Sequence, residues 1–421
     1  MGFKKVAYDF LLKSQKISRT DNIYLGKQGF YTGINYAVIF ALGLITSVVF
    51  ARFVPKNVYG DYQYLLSIMA LIGIFSLRGI PLALTRSVAR GFEGNFRAAI
   101  KKRLAWAAAG SVVAIGLAGY YFLKNNYFLA VGCLIIAAFL PFIESADMFT
   151  AYLEGKKDFF RRAKLNIIFQ IAYTAAMLLV VYFYPKTFPI FLTYLLATVA
   201  VKWAFNRSIG KETKNGQIDN DLINYGKHLS LMQIIAAVAQ QLNSILTFHY
   251  LGPIELAIFS FANLPQSQAI AILGNLRTIA FPKLAENDKE IQIKAWLRKL
   301  ALLGAIIVLG VILYMLIAPW LFGLFFPNYL ESVKYSRALF LLILLFPFSF
   351  LPLIFAAQKM QKELYQWNIV SASLEILLLF LLIPAYGLWG LIYATLAAKT
   401  VSAIISITLF IKAFKKTPSA G

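Results

Sequence analysis

Apolar residues recur along the chain in twelve long blocks that are separated by short polar connections. Blocks of roughly 20 residues span a hydrocarbon core of about 30 Å. Backbone groups in lipid must be hydrogen-bonded within the segment, which favours helices. The pattern therefore predicts an all-α polytopic membrane protein with about 12 transmembrane helices. The blocks lie at 30–51, 61–82, 104–123, 127–151, 164–183, 188–206, 229–250, 255–281, 300–323, 336–357, 366–384 and 388–411.

Lysine and arginine alternate between the two sides of these blocks. The N-terminal arm, the connections on its side and the C-terminal tail hold 32 basic residues, whereas the opposite connections hold five. Positive charge stays in the cytoplasm during membrane insertion. We therefore expect a multi-pass protein of the cytoplasmic (inner) membrane with both termini in the cytoplasm. The other basic residues lie in or at the edges of spans: Arg52, Arg78, Arg277 and Lys399.

Composition narrows the classes of function. Hydrophobic residues make up 60% of the 421 positions and charged residues 14%, too few to cover a soluble exterior. The net charge of +23 follows the cytoplasmic connections, so we expect no nucleic-acid partner. The sequence has no phosphate-binding loop, no paired CxxC motif and no HExxH motif. We expect no cofactor, no metal and no enzymatic activity, and a polytopic enzyme acting on a lipid substrate is the alternative from another class.

The longest hydrophilic connection, 207–228, divides the predicted helices into two groups of six. The two halves open on similar sequences, in which Phe53 aligns with Tyr250 and Tyr62 with Phe259. Six helices separate the repeats, so we expect two lobes that are related by a pseudo-twofold axis along the membrane normal, with a cavity between them. The predicted organisation is a cytoplasmic arm at 1–29, an N-lobe at 30–206, a linker at 207–228, a C-lobe at 229–411 and a cytoplasmic tail at 412–421.

Three stretches carry a resemblance to a known family: RFVPKNVYGDYQYLLSIMALIGIFSLRGIPLALTRSVAR from Arg52, EGKK at 154–157 and LLIPAYGLWGLIYATLAA from Leu381. The chain resembles the polysaccharide-transport branch (O-antigen-type flippases) of the multidrug/oligosaccharidyl-lipid/polysaccharide exporter superfamily. The resemblance implies export of a lipid-linked oligosaccharide, usually undecaprenyl-diphosphate-linked, by alternating access for cell-surface polysaccharide biosynthesis. Where a glycine-leucine pattern is common in the family, this chain has Arg78, Gly79 and Ile80.

An arginine in hydrocarbon costs at least about 2.5–3.5 kcal/mol, so it usually faces a polar cavity or a partner. Arg78 and Arg277 lie toward the cytoplasmic ends of spans 2 and 8. We expect them to line the inward mouth of a cationic cavity, where guanidinium groups suit phosphate oxygens. The alternative is that each pairs with a carboxylate or extends to the interface. The predicted substrate-binding set is Arg78, Arg277, Arg86, Lys283 and Arg52.

Four acidic or basic residues have other predicted roles. Glu144 and Asp147 are three residues apart and share a helix face, either as a proton-coupling site, as counter-ions for Arg78 and Arg86, or as a polar inner helix end. Glu375 and Lys399 lie at similar distances from the turn between the last two spans, so we expect a structural ion pair.

Amide side chains in spans 7 and 8 either hold helices together or line a sugar-accepting surface. The predicted cavity-lining set is Gln240, Asn243, Asn263, Gln266 and Asn275. The expected partners are the lipid-linked oligosaccharide and membrane lipids, with a polysaccharide polymerase and glycosyltransferases as further candidates. The alternative function is a cation-coupled exporter of drugs or other small molecules from the same superfamily.

Overall fold

The computed structural model describes residues 22–213, 216–219, 221–285, 291–357 and 360–415. Throughout these residues the regular structure is helical, as predicted. The helices are α1 (Asn22–Phe53), α2 (Lys56–Ile72), α3 (Ile80–Ala89), α4 (Asn95–Leu123), α5 (Tyr127–Ser145), α6 (Met148–Gly155), α7 (Phe159–Phe183), α8 (Thr187–Glu212), α9 (Leu222–Leu251), α10 (Pro253–Ala285), α11 (Ile291–Phe325), α12 (Ser332–Phe340), α13 (Phe350–Ala357) and α14 (Gln361–Lys415). Short 3₁₀ helices lie at Gly73–Ser76, Pro327–Tyr329 and Leu341–Ser349.

Ten segments within the described residues are long and apolar enough to cross a membrane. One of them, in α14, is two helices, because Gly387 has a non-helical backbone (φ 58°, ψ −136°) and the chain reverses there. The 30 residues of α9 are long enough to span but are not among the ten. Among the described residues, counting the two arms of α14 separately and adding α9 gives twelve helices, the predicted number.

Three of the predicted spans are interrupted within their length. Span 2 breaks at the 3₁₀ turn Gly73–Ser76 and at Leu77, whose φ of 55° is left-handed. Pro81 then lies in the first turn of α3, where its missing N–H costs no helical hydrogen bond. Span 10 passes through the 3₁₀ helix Leu341–Ser349, which contains Pro347. Span 4 ends its first helix at Ser145 and resumes at Met148.

Side chains of α8 satisfy the carbonyl groups that the break in span 4 leaves open. The Trp203 indole donates to the Phe142 carbonyl at 2.9 Å. The Asn206 amide donates to the carbonyls of Ser145 and Ala146 at 3.3 and 2.9 Å. The last carbonyls of a helix need partners from outside the helix, so this break is stabilised by a neighbouring helix.

The chain forms two compact units, and their boundaries differ from the predicted lobes at two places. Unit 1 comprises Met1–Phe53 and Ile72–Gln233, and unit 2 comprises Val54–Leu71 and Ile234–Gly421. Most of α2 therefore belongs to the second unit although its sequence lies within the predicted N-lobe. The later boundary falls inside α9 and not at the predicted linker, of which α8 and α9 occupy a large part.

Aromatic contacts explain why α2 belongs to unit 2. The Tyr64 ring stacks on Phe248 at 3.7 Å between centroids, and the Tyr59 ring lies 4.8 Å from that of Phe261. Gly60 lies so close to the backbone of Pro253 that a Cβ would collide with it. Glycine at position 60 thus permits a close approach of α2 and α10.

Candidate functional site

Arg78 lies in the break of span 2 and not on a helix. The preceding turn is fixed by Ser76 Oγ, whose one proton is shared between the Gly73 carbonyl at 2.6 Å and Glu144 Oε2 at 2.6 Å. The following residue, Gly79, donates its N–H to Ser230 Oγ at 2.9 Å and lies against Leu229, where a Cβ would approach the Leu229 Cβ to 2.6 Å. The start of α9 therefore holds the turn that carries Arg78. The residue is partly exposed.

A buried ion cluster surrounds Glu144 beside this turn. One carboxylate oxygen, Oε2, accepts from Arg103 Nη2 at 2.9 Å and from Ser76 Oγ at 2.6 Å. The side chains of Arg103 and Glu144 are 9% and 12% exposed. The other oxygen, Oε1, lies over Gly73, where an added Cβ would collide with it and would approach Arg78 Nη2 to 3.2 Å. Two guanidinium groups thus share the surroundings of one carboxylate.

Asp147 lies in the break of span 4, beyond the helix that carries Glu144, so the two acids do not share a helix face as predicted, and Asp147 holds a separate pair. Lys202 Nζ lies 2.7 Å from Asp147 Oδ1 and 4.4 Å from the centroid of the Phe169 ring. The lysine side chain is 13% exposed, whereas that of the aspartate is 52% exposed. Glu144 and Asp147 are therefore both engaged as counter-ions, but of Arg103 and Lys202, whereas the predicted partner Arg86 lies over the Tyr225 ring. Their participation in proton coupling stays a prediction.

Arg103 is the member of the cluster that sequence reasoning missed, because it was assigned to a polar connection. Its position nevertheless carries a signal. Small residues recur along the buried face of α4 at positions that continue through Arg103: Ala99, Arg103, Ala107, Gly110 and Ala114. A basic residue in a stripe of small buried residues points into the bundle, where it requires a counter-ion.

The rest of the predicted cationic set is not gathered around Arg78 in the part of the chain that is described. Arg86 is exposed and its guanidinium lies 4.6 Å from the centroid of the Tyr225 ring. Arg52 is exposed near the end of α1. Arg78 comes after α2, whose 17 residues extend about 25 Å at 1.5 Å per residue, so α2 lies between the two arginines along the chain. Arg277 and Lys283 lie on α10, and their side chains are outside the described residues.

The two arms of α14, on either side of Gly387, hold the ion pair that the spacing of Glu375 and Lys399 predicts. Lys399 Nζ lies 2.7 Å from Glu375 Oε2, and Gly387 is twelve residues from each. The glutamate side chain is 8% exposed and the lysine side chain 50%. Trp367 and Ser371 add hydrogen bonds to Ser402 at 3.2 and 2.8 Å. The pair thus joins two antiparallel helices.

The predicted cavity-lining amide residues differ in their solvent exposure. Gln240 is exposed, Asn263 is half-buried and Gln266 is 8% exposed. Asn243 Oδ1 is buried without a hydrogen-bond partner among the described residues. Asn275 has a side chain outside the described residues. Whether these amides line a sugar-accepting surface stays a prediction.

Comparison with protein families gives a match that covers most of the chain. A family model described as polysaccharide biosynthesis protein matches residues 25–288, which is more than half of the 421 residues. Comparison with curated protein sequences gives no match.

Solved structures share the fold along most of the chain. The lipid II flippase MurJ in its inward closed conformation is 14% identical with a TM-score of 0.65, over 93% of this chain and 88% of that one. A multidrug resistance MATE family transporter of the MOP superfamily, in its inward-facing conformation, is 13% identical with a TM-score of 0.66, over 90% and 96%. A MOP superfamily transporter from Pyrococcus furiosus, described as having a binding pocket of reverse polarity, is 15% identical with a TM-score of 0.58, over 93% and 97%.

Proposed function

The chain belongs to the polysaccharide biosynthesis protein family, as its sequence resemblance predicted, and from that premise we propose that it is a flippase and not an enzyme. The cargo is a lipid-linked oligosaccharide with a diphosphate group, of the undecaprenyl-diphosphate type. Alternating access carries it from the inner to the outer leaflet of the cytoplasmic membrane for cell-surface polysaccharide biosynthesis. Both termini lie in the cytoplasm, since 32 basic residues lie on their side of the predicted spans and five on the other.

The observation that supports an anionic cargo is the charge of the Arg78 cluster. Glu144 neutralises at most one of the two guanidinium groups near it, and its Oε2 is already engaged by Arg103 and Ser76. A positive charge in the membrane-spanning part of a protein is expensive, so its retention indicates use. A guanidinium fork matches the oxygens of a phosphate group.

Arg78 and Arg103 have different parts in this proposal. Arg78 is partly exposed on a turn and is the group that contacts the diphosphate, whereas Arg103 is 7% exposed and acts through Glu144. Arg103 donates to Oε2 of that carboxylate at 2.9 Å. Glu144 thereby shares one negative charge between two guanidinium groups, and the resulting excess of positive charge in the cluster suits an anionic cargo.

The alternative is a cation-coupled exporter of drugs or other small molecules, since MATE family multidrug transporters share the fold. An organic cation requires acidic or aromatic partners. No acidic residue occurs in the sequence of α1, and Glu144 and Asp147 are engaged by basic residues. The charge of the described cluster therefore supports the anionic cargo.

Deletion of the gene in its host, followed by mass spectrometry of extracted lipids, tests the proposal. We expect one lipid-linked glycan to accumulate on the inner leaflet and to return to the wild-type amount when the wild-type gene is restored. Restoration with Arg78→Gln should leave most of the accumulation, whereas Lys124→Gln, at an exposed connection, should behave as wild type. Unchanged lipid-linked glycans together with increased sensitivity to organic cations would contradict the flippase and support the exporter.

A further inference from the structure

A groove opens between the beginning of α4 and the end of α8. The groove has a volume of about 620 Å³. The ends of α4 and α8 that form it are predicted to lie at the cytoplasmic surface of the membrane. Its walls are Ile100 on α4 and five residues of α8: Ala200, Trp203, Ala204, Asn206 and Arg207. Neither Arg78 nor Glu144 lines it. The groove is thus separate from the ion cluster described above.

One exposed stripe of α8 leads into the groove. Leu196, Ala200 and Ala204 are exposed at four-residue spacing and therefore lie on one helix face. The stripe ends at Arg207, which is also exposed. An apolar stripe in a membrane protein that ends in a basic residue fits an acyl chain below a phosphate group. The two alanines leave room for that chain beside the Trp203 ring.

Asn206 provides a second and independent observation at the groove. The residue is 3% exposed, and its side-chain nitrogen donates to the carbonyls of Ser145 and Ala146. Its Oδ1 is buried and has no hydrogen-bond partner among the described residues. Buried acceptors are nearly always paired. A hydroxyl or N–H group that enters the groove would supply the missing donor.

The charge around the groove distinguishes between lipid classes. Glu212, the nearest acid along α8, is occupied by two hydrogen bonds from Arg161 at 2.5 and 2.6 Å. The exposed basic residues on this end of α4 and α8 are Arg97, Lys101, Lys102, Arg207 and Lys211. The local excess of positive charge therefore favours an anionic head group.

We propose that this groove is a specific site for an anionic glycerophospholipid whose head group carries a hydroxyl donor, as phosphatidylglycerol does. The phosphate binds Arg207, the head-group hydroxyl donates to Asn206 Oδ1, and one acyl chain lies along Ala200 and Ala204 against Trp203. The proposal requires only that the helices cross a membrane, and it holds whether or not the cargo is a lipid-linked oligosaccharide.

Quenching of Trp203 fluorescence by brominated lipids tests the site in the purified full-length protein. The protein in detergent micelles is titrated with phosphatidylglycerol or phosphatidylcholine of the same brominated acyl chains. The component due to Trp203 is the difference between wild type and Trp203→Phe. We expect saturable quenching of that component by phosphatidylglycerol at concentrations at which phosphatidylcholine has little effect.

Two variants of α8 make the test specific. Arg207→Gln should weaken the apparent affinity for phosphatidylglycerol by about fivefold, the effect of one basic residue at an anionic lipid surface, and should leave phosphatidylcholine unchanged. Lys186→Gln removes one exposed charge next to the opposite end of α8 and should have no effect. Equal quenching by both lipids, or equal effects of the two variants, would overturn the proposal and indicate ordinary bilayer contact.

Discussion

Replacement of Glu144 by glutamine is the sharpest test of the ion cluster, because a single carboxylate oxygen serves two partners. Oε2 accepts from Arg103 at 2.9 Å and from Ser76 at 2.6 Å. The glutamine has nearly the same shape but no charge. Arg103 would then remain buried with its main counter-ion removed.

The structure sets the size of the expected effect. Removal of one partner from a buried ion pair typically costs about 3–5 kcal/mol, because the other charge stays uncompensated. The 12% exposure of the Glu144 side chain and the nearby Asp147 carboxylate place the expected loss at the lower end of that range, about 3 kcal/mol. An exposed ion pair is worth only about 0–1 kcal/mol, and the Arg161–Glu212 pair, with side chains 34% and 49% exposed, provides that comparison.

The assay is reversible unfolding in mixed micelles by increasing sodium dodecyl sulfate, followed by tryptophan fluorescence. It compares Glu144→Gln, Arg103→Gln, the double variant and Arg161→Gln. We expect a large loss of unfolding free energy in each single variant of the buried pair and a loss of less than about 1 kcal/mol in Arg161→Gln. The double variant should be more stable than the sum of its single losses predicts, since the two charges of the buried Arg103–Glu144 pair are removed together. Additive losses, or a Glu144→Gln loss no larger than that of Arg161→Gln, would refute the reasoning.

Two further predictions concern other ion pairs. Reversal of one charge in the Glu375–Lys399 pair, by Glu375→Lys or Lys399→Glu, should lower the yield of folded protein, measured by size-exclusion chromatography. The double reversal should restore that yield. Failure of the restoration would show that the pair does not join the helices. Glu93 accepts from Lys156 at 2.6 Å, and this hydrogen bond holds the pKa of the Glu93 carboxylate below its ordinary value of 4.5. Its contribution to stability is therefore present above about pH 4.5 and is lost as the pH falls through the lower, folded pKa. Melting temperatures between pH 7 and pH 3 should fall less steeply in Lys156→Met than in wild type, and identical slopes would contradict this assignment.

The long helices and the Glu375–Lys399 pair could be predicted from the sequence because both follow from local regularities. Apolar blocks of membrane-spanning length specify helices. Two residues equally far from one tight turn between antiparallel helices necessarily reach similar depth, which brought Glu375 and Lys399 together.

The breaks within spans and the partners of the buried charges could not be predicted in this way, because contacts distant in sequence determine them. The turn that carries Arg78 is held by Ser230 on α9, about 150 residues later in the chain. Hydropathy does not distinguish a continuous span 2 from one that bends to meet that contact. Arg103 directly precedes the apolar block at 104–123, so the sequence alone places it in a polar connection. Its burial depends on Glu144, which lies on another helix.

The membership of α2 shows a further limit. Division of the sequence at its longest polar connection places α2 with its neighbours along the chain. The ring contacts of Tyr59 and Tyr64 with Phe261 and Phe248 instead place most of α2 in unit 2. Aromatic residues are abundant in this sequence, at 15% of positions, so their presence on α2 carried no specific signal.

Lipid translocation in reconstituted vesicles tests the proposed cargo most directly. The protein is given a fluorescent oligosaccharide linked to polyprenyl diphosphate or to neutral polyprenol, and the labelled lipid that reaches the opposite leaflet is measured with a membrane-impermeant quencher. We expect preferential translocation of the diphosphate lipid. Arg78→Gln should slow it by about tenfold, the loss of one charge-assisted contact of about 1.5 kcal/mol, while Lys124→Gln retains the wild-type rate. Equal translocation of the two lipids by the wild type, or a wild-type rate in Arg78→Gln, would contradict the role of Arg78 in binding a phosphate-bearing cargo.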